Sequence, residues 1–345
     1  MHMAFASIAT LLRRAGVLAA ALVLIGLALP ASAQTGGAQP QQQINTRERP
    51  MYGLTASQDA ELLRALRGAE GNVSIPDRKA GVLIQPEGRH WRQTMQGTMR
   101  VVGSWLILGM VAILIAFFLL RGTIPIESGR SGRLVKRFNM AERTIHWFTA
   151  SSFIVLALTG LNVTFGRYIL LPLLGPGAFS TISLWFKYAH NYVAFAFMLG
   201  LVLTFVIWIA HNIPNRYDVQ WLAAGGGLFS RGVHPPSRKF NAGQKLVFWS
   251  VIIGGVILSV SGIHMLFPFQ FGDIHTQQLM TVLHSVFALI LIAVVIAHIY
   301  IGTLGMEGAW DAMGRGEVDE NWAREHHSVW YAELKGQPAP KYGHD

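Results

Sequence analysis

Met280-Thr-Val-Leu-His-Ser-Val-Phe-Ala-Leu-Ile-Leu-Ile-Ala-Val-Val-Ile-Ala-His-Ile-Tyr300 is long enough and apolar enough to cross a bilayer as one helix. It holds two histidines, His284 and His298, fourteen positions apart. At 3.6 residues per turn, fourteen steps are close to four whole turns. Both imidazoles therefore leave one face of the helix, about 21 Å apart along its axis. Each then lies near one membrane surface. A titratable ring in hydrocarbon is costly and marks a functional site by default. A lone membrane histidine is as readily a packing residue bonded to a neighbouring carbonyl. Two on one face at opposite depths, with matching histidines elsewhere, point instead to two cofactors. The iron of a b-type haem takes neutral imidazole nitrogen as an axial ligand, so two such haems are the expected occupants.

Composition agrees with a membrane chain. Of 345 residues, 52% are hydrophobic and 13% charged, where a soluble domain is about a quarter charged. There is no cysteine. Disulfides, Cys-ligated iron–sulfur clusters and covalent haem attachment are thereby excluded within this chain. Any iron–sulfur wiring must belong to a partner. The formal charge of +10 does not indicate nucleic acid, because much of it lies in short loops between apolar spans, where it sets orientation.

Residues 1–33 read as a secretory signal peptide. Arg13-Arg14 give the positive region, residues 15–29 the apolar core, and Ala31-Ser-Ala33 the cleavage site. Residues 34–100 are expected to be exported to the periplasm, with a helix over 54–66 and a short strand at 82–84. Residues 101–120 read as a transmembrane helix without histidine. The loop 121–144 carries Arg130, Arg133, Lys136 and Arg137, which marks the cytoplasmic side. Four further spans follow at 145–165, 188–210, 246–266 and 280–300. Pro172, Gly175, Pro176 and Gly177 predict an outer loop between the first two. Residues 305–345 form a cytoplasmic tail. The expected fold is an all-α integral membrane bundle: a four-helix di-haem core over 145–304 plus one extra N-terminal transmembrane helix. Gly225-Gly-Gly227 precedes no clear helix, so it is a weak phosphate-binding signal.

Orientation sorts the histidines. His146, His211 and His298 fall near the inner face; His190, His264 and His284 fall near the outer face. Two ligands at one depth on different helices hold one haem. His284 can pair with His190 or His264, and His298 with His146 or His211. Depth favours His190 and His146, since His211 and His264 sit at the ends of their spans. Asn241, Gly243 and Gln244 lie at the inner depth. The amides offer donors and acceptors, and the glycine lets a flat ring approach, as a quinone head group requires. An ordinary helix start with Asn241 as its cap competes with that reading. No well-buried carboxylate is expected in the spans, with Glu142 placed at the membrane edge. Protons are then expected from cytoplasmic water, helped by His211.

Several stretches together resemble one family. They are Arg143-Thr-Ile-His-Trp147, Ala189-His-Asn191, His211-Asn-Ile-Pro-Asn215, Lys239-Phe-Asn-Ala-Gly-Gln-Lys245, Leu283-His284, Ala297-His-Ile-Tyr300 and Trp322-Ala-Arg-Glu-His-His327. Over roughly residues 133–335 the chain resembles the gamma, cytochrome b subunit of membrane-bound respiratory formate dehydrogenase. The resemblance implies that His190 and His284 bind the outer haem b, and His146 and His298 the inner one. It implies a quinone pocket (menaquinone or ubiquinone) at Asn241, Gly243 and Gln244. It implies an electron-transfer and quinone-reducing subunit in the bacterial inner membrane. Its partners would be an iron–sulfur beta subunit and a molybdenum- or tungsten-containing alpha subunit, which oxidises the formate. No catalytic residue is assigned to this chain. Residues 34–120 have no counterpart in the shorter family members. A hydrogenase cytochrome b shares the histidine spacing. A transporter or haem-free anchor is the alternative from another class, though broken helices and repeats are not evident.

Overall fold

In a computed structural model, the described residues are 88–338 except Phe269. The signal peptide, the helix over 54–66 and the strand at 82–84 lie outside them. Among the described residues, four helices are long and apolar enough to cross a membrane. The first, α1, is Met99–Arg121. A short helix Gly88–Gln93 and a wide π-type turn Thr94–Thr98 run into it.

The second, Met140–Trp208, is broken at Gly175, with φ of 75° and ψ of 167°. Only glycine adopts such backbone without strain. The break yields two arms, α2 (residues 140–174) and α3 (176–208). Glu142 meets Trp208, Thr149 meets Thr204 and Asn162 meets Ser183, so the arms run antiparallel. The expected outer loop between 165 and 188 is therefore absent, and helix fills all but one residue of it. Its helix-breaking residues act within a single turn. Pro176 starts α3, where its missing N–H is not needed, and Pro172 falls in the last turn of α2, while the flanking residues are apolar helix formers.

The chain continues through α4 (Arg216–Ala223), α5 (Ala242–Leu266) and α6 (Ile274–Tyr300). Asn139, Asn215 and Asn241 cap α2, α4 and α5, each in a reciprocal box with the third helical residue. Asp273 caps α6. Such caps satisfy backbone N–H groups that a helix start leaves orphaned. Small residues bring the helices close, as membrane bundles require. A Cβ on Gly103 of α1 would lie 2.7 Å from Leu289 of α6, and one on Gly200 of α3 would lie 2.5 Å from Thr149 of α2. Leu119, Val163, Val206 and Leu246 stay exposed, as lipid-facing residues do.

The segment after α6 is not a loose tail. It contains α7 (Ala309–Gly314), a strand Glu317–Asp319, α8 (Glu320–His326) and α9 (Ser328–Leu334). The strand pairs antiparallel with Leu134–Lys136, placing Val135 against Val318. Asp319 accepts from the backbone N–H groups of Ser131 and Gly132, and Glu325 from those of Glu127 and Ser128. Phe138, Trp208, Phe240, Val318, Trp322 and Tyr331 share one buried cluster. The connections on this side of the bundle thus close into a packed cap.

Arg137 sits at its centre. Its guanidinium lies 5.0–5.1 Å from the ring centres of Phe138, Trp322 and Trp330, a cation–π enclosure. It donates to the Lys239 carbonyl at 2.7 Å and to His327 Nε2 at 2.9 Å. Burial pushes Arg137 down to about 9. His327 is 1% exposed and its Nδ1 donates to the Arg238 carbonyl at 2.8 Å. Burial first, and the Arg137 charge second, hold it well below the ordinary histidine value. His327 is therefore a neutral strut in this cap.

Candidate functional site

The two histidines expected at the outer depth, His190 and His284, meet between four helices. The ring centres of His190 on α3 and His284 on α6 are 6.2 Å apart. Thr159 Oγ1 on α2 donates to the Val155 carbonyl at 2.7 Å, so it accepts from His190 Nδ1 at 2.8 Å. Ser261 Oγ on α5 donates to the Ile257 carbonyl at 2.6 Å and accepts from His284 Nδ1 at 3.0 Å. Both rings are thereby fixed as Nδ1–H tautomers. Each keeps its Nε2 lone pair for a ligand bond, the arrangement in which a second partner orients a metal-binding imidazole. Each hydroxyl is followed by a glycine beside the same ring. A Cβ on Gly160 would lie 3.5 Å from His190, and one on Gly262 would lie 3.5 Å from His284.

The two histidines expected at the inner depth, His146 and His298, also face each other. The ring centres of His146 on α2 and His298 on α6 are 6.2 Å apart. His146 Nδ1 is buried with no partner in the protein. A first-row metal–imidazole bond is about 2.0–2.1 Å, with about 1.1 Å more to each ring centre, so two rings sharing one metal stand about 6.3 Å apart. Both pairs have that separation. Among the described residues no group of three or more His, Asp or Glu could hold a metal ion. A two-imidazole site leaves the other positions of iron to its macrocycle, so the residues fit haem b.

The remaining sequence candidates are placed differently. His264 is half-buried; its Nδ1 bonds the Val260 carbonyl of its own helix at 2.9 Å, and its ring packs on Phe271. His211 packs against Phe240. It lines an open cleft with Asn215, Arg238, Lys239, Trp330 and Glu333. Asn241 and Gln244 form the capping box of α5: Asn241 Oδ1 accepts from the Gln244 N–H at 2.9 Å, and Gln244 Oε1 from the Asn241 N–H at 3.1 Å. Their acceptor oxygens are occupied, which leaves the amide N–H groups to donate. The flat ring beside Gly243 is the chain's own Trp221, 2.9 Å from where a Cβ would stand.

Glu142 departs from its expected setting. It is at the end of a span but only 6% exposed. Its Oε1 accepts from Lys239 Nζ at 2.6 Å and from Trp208 Nε1 at 3.0 Å. It caps α2 one turn before His146 and ties the start of α2 to the end of α3. Sequence reasoning missed Thr159-Gly160 and Ser261-Gly262. Their signal was a hydroxyl followed by glycine at the outer depth of two different spans.

Residues 137–316 match the family described as prokaryotic cytochrome b561. The chain is 31% identical over 204 residues to the formate dehydrogenase cytochrome b556(fdo) subunit of Escherichia coli K12, covering 58% of this chain and 93% of that protein. It is 27% identical over 213 residues to the nitrate-inducible formate dehydrogenase cytochrome b556(Fdn) subunit of the same strain, covering 61% and 95%. The formate dehydrogenase cytochrome b556 subunit of Haemophilus influenzae is 25% identical over 213 residues, with 60% and 86% covered.

Proposed function

Because the chain belongs to the prokaryotic cytochrome b561 family, among the gamma (cytochrome b) subunits of formate dehydrogenases, we propose that it carries electrons across the membrane to quinone. The electrons come from an iron–sulfur beta subunit on the periplasmic side, itself supplied by a molybdenum- or tungsten-containing alpha subunit that oxidises formate. The acceptor is menaquinone or ubiquinone near the cytoplasmic side. Proton uptake on that side adds to the proton motive force.

One observation carries this reading: two imidazole pairs, each 6.2 Å between ring centres, sit about 21 Å apart along α6. His190 and His284 are assigned to the outer haem b, and His146 and His298 to the inner one. Each haem supplies a one-electron couple when bound. Thr159 and Ser261 hold the outer imidazoles in their ligating tautomer. The Lys239–Glu142 ion pair anchors the helix that bears His146. The amide N–H groups of Asn241 and Gln244 donate to quinone carbonyl oxygens, beside Gly243 and Trp221.

Orientation rests on charge. The cap side carries Arg130, Arg133, Arg137, Arg143, Arg238 and Lys239, so it is assigned to the cytoplasm. The test is purification of the intact complex with metal analysis. The expected result is co-purification with an iron–sulfur subunit and a molybdenum- or tungsten-containing subunit active on formate. A nickel-containing partner active on hydrogen would replace this reading with a hydrogenase cytochrome b.

A further inference from the structure

Tyr300 is the last residue of α6, two positions beyond His298. It is 9% exposed, and its hydroxyl is buried without a partner in the protein. A buried hydroxyl left unpaired is destabilising, so each one calls for a partner. Two aromatic rings and a glycine pack around its ring. Phe117 and Phe118 of α1 pack edge-on against its ring, at 6.3 and 6.5 Å between centres. Gly305 closes another side; a Cβ there would lie 2.8 Å from the tyrosine ring. The partner that fits is a largely apolar molecule with a carbonyl oxygen.

A wall of aromatic rings and glycines runs from this point toward the start of α5. Phe117 packs edge-on against Phe229 at 5.8 Å. Phe229 lies against Gly225, and Trp221 lies between Gly226 and Gly243. Arg121, at the end of α1, donates to the Leu228 and Ser230 carbonyls and fixes that loop. The helices α5 and α6 pack as neighbours, and Asn241 begins one where Tyr300 ends the other. The family match begins at residue 137, so the α1 part of this wall lies outside it.

We infer that the Tyr300 hydroxyl is a hydrogen-bond donor to a carbonyl oxygen of the quinone head group, and that Phe117 of α1 is the wall holding the head group against it. The inference rests on the quinone reading above and extends it to residues of a helix outside the matched region. A planar ring with two opposed carbonyls takes one bond from the amides at the start of α5 and one from the phenol at the end of α6. The position also places the head group within one helical turn, along the axis, of the inner histidine pair.

The test uses the intact complex carrying wild-type chain, Tyr300→Phe, Phe117→Ala or Asn241→Ala. The probe is menadione or decyl-ubiquinone, whichever the wild-type complex reduces. Haem content, equilibrium binding by ultrafiltration, and KM with kcat are measured. Tyr300→Phe is expected to keep its haems, to weaken binding about tenfold and to raise KM by more than it lowers kcat, as loss of one hydrogen bond does. Phe117→Ala is expected to weaken binding in the same direction. Wild-type binding by Tyr300→Phe overturns the inference, as does loss of a haem from it, which would assign the hydroxyl to the haem pocket. If Asn241→Ala weakens binding and the other two do not, this inference alone fails. If the wild-type complex neither binds nor reduces either quinone, the quinone reading itself fails.

Discussion

Replacing His298 with alanine should remove the inner haem and reduce formate-dependent quinone reduction by at least about a hundredfold, since losing an orienting group alone costs 10–100-fold at such sites. The reason is geometric. His298 and His146 face each other at 6.2 Å, and no third ligand is recorded beside them among the described residues. His211, the other inner histidine, is turned to Phe240 and the open cleft. His146 alone is a one-sided ligand. The outer pair, whose His284 lies about four turns away on the same helix, keeps both imidazoles and both hydroxyl partners. Formate oxidation measured with an artificial dye should therefore continue, and formate should still reduce the outer haem. The check is a haem assay giving one haem per chain beside the two activities. Loss of both activities in an intact complex would contradict the assignment.

His284→Ala should cause an equally large loss of quinone reduction for the opposite reason. It removes the entry point and leaves the exit intact. One haem should again remain, now the inner one, held by His146 and His298. The two variants differ in what reduces the haem that each retains. In His298→Ala formate should reduce the remaining outer haem. In His284→Ala a strong chemical reductant such as dithionite should reduce the remaining inner haem and formate should not. His264 is no substitute, because it is bonded to its own helix and packed on Phe271. Retention of two haems in His284→Ala would overturn the ligand set.

Much of this was legible in the sequence because helical periodicity is local. Fourteen residues between His284 and His298 fix a shared face and a separation without knowledge of the fold. Depth then favoured His146 and His190, and these are the histidines that lie opposite them. The capping box of Asn241 and Gln244 was also local, and both readings of that segment draw on one geometry. The box takes the acceptor oxygens and leaves the donors.

What was not legible depends on contacts distant in sequence. The 166–187 region carries Pro and Gly, which read as a loop. One glycine at φ 75° makes the whole reversal, and the prolines sit where helix ends tolerate them. Glu142 reads as a membrane-edge carboxylate, but Lys239 and Trp208 reach it from far along the chain and bury it. Gly243 reads as room for a ligand, and Trp221 fills that space. The segment after α6 shows mixed charge and aromatics with no long period. Its order comes from pairing with residues far earlier in the chain, as between Val135 and Val318. The hydroxyls of Thr159 and Ser261 gain meaning only once the histidines are beside them.

The most direct measurement is a reduced-minus-oxidised visible spectrum of the purified complex, with haem quantified per copy of this chain. Two b-type haems per chain are expected, one lost in each of the two histidine variants above. A preparation without a b-type signal, or one whose haem survives both substitutions, would contradict the account.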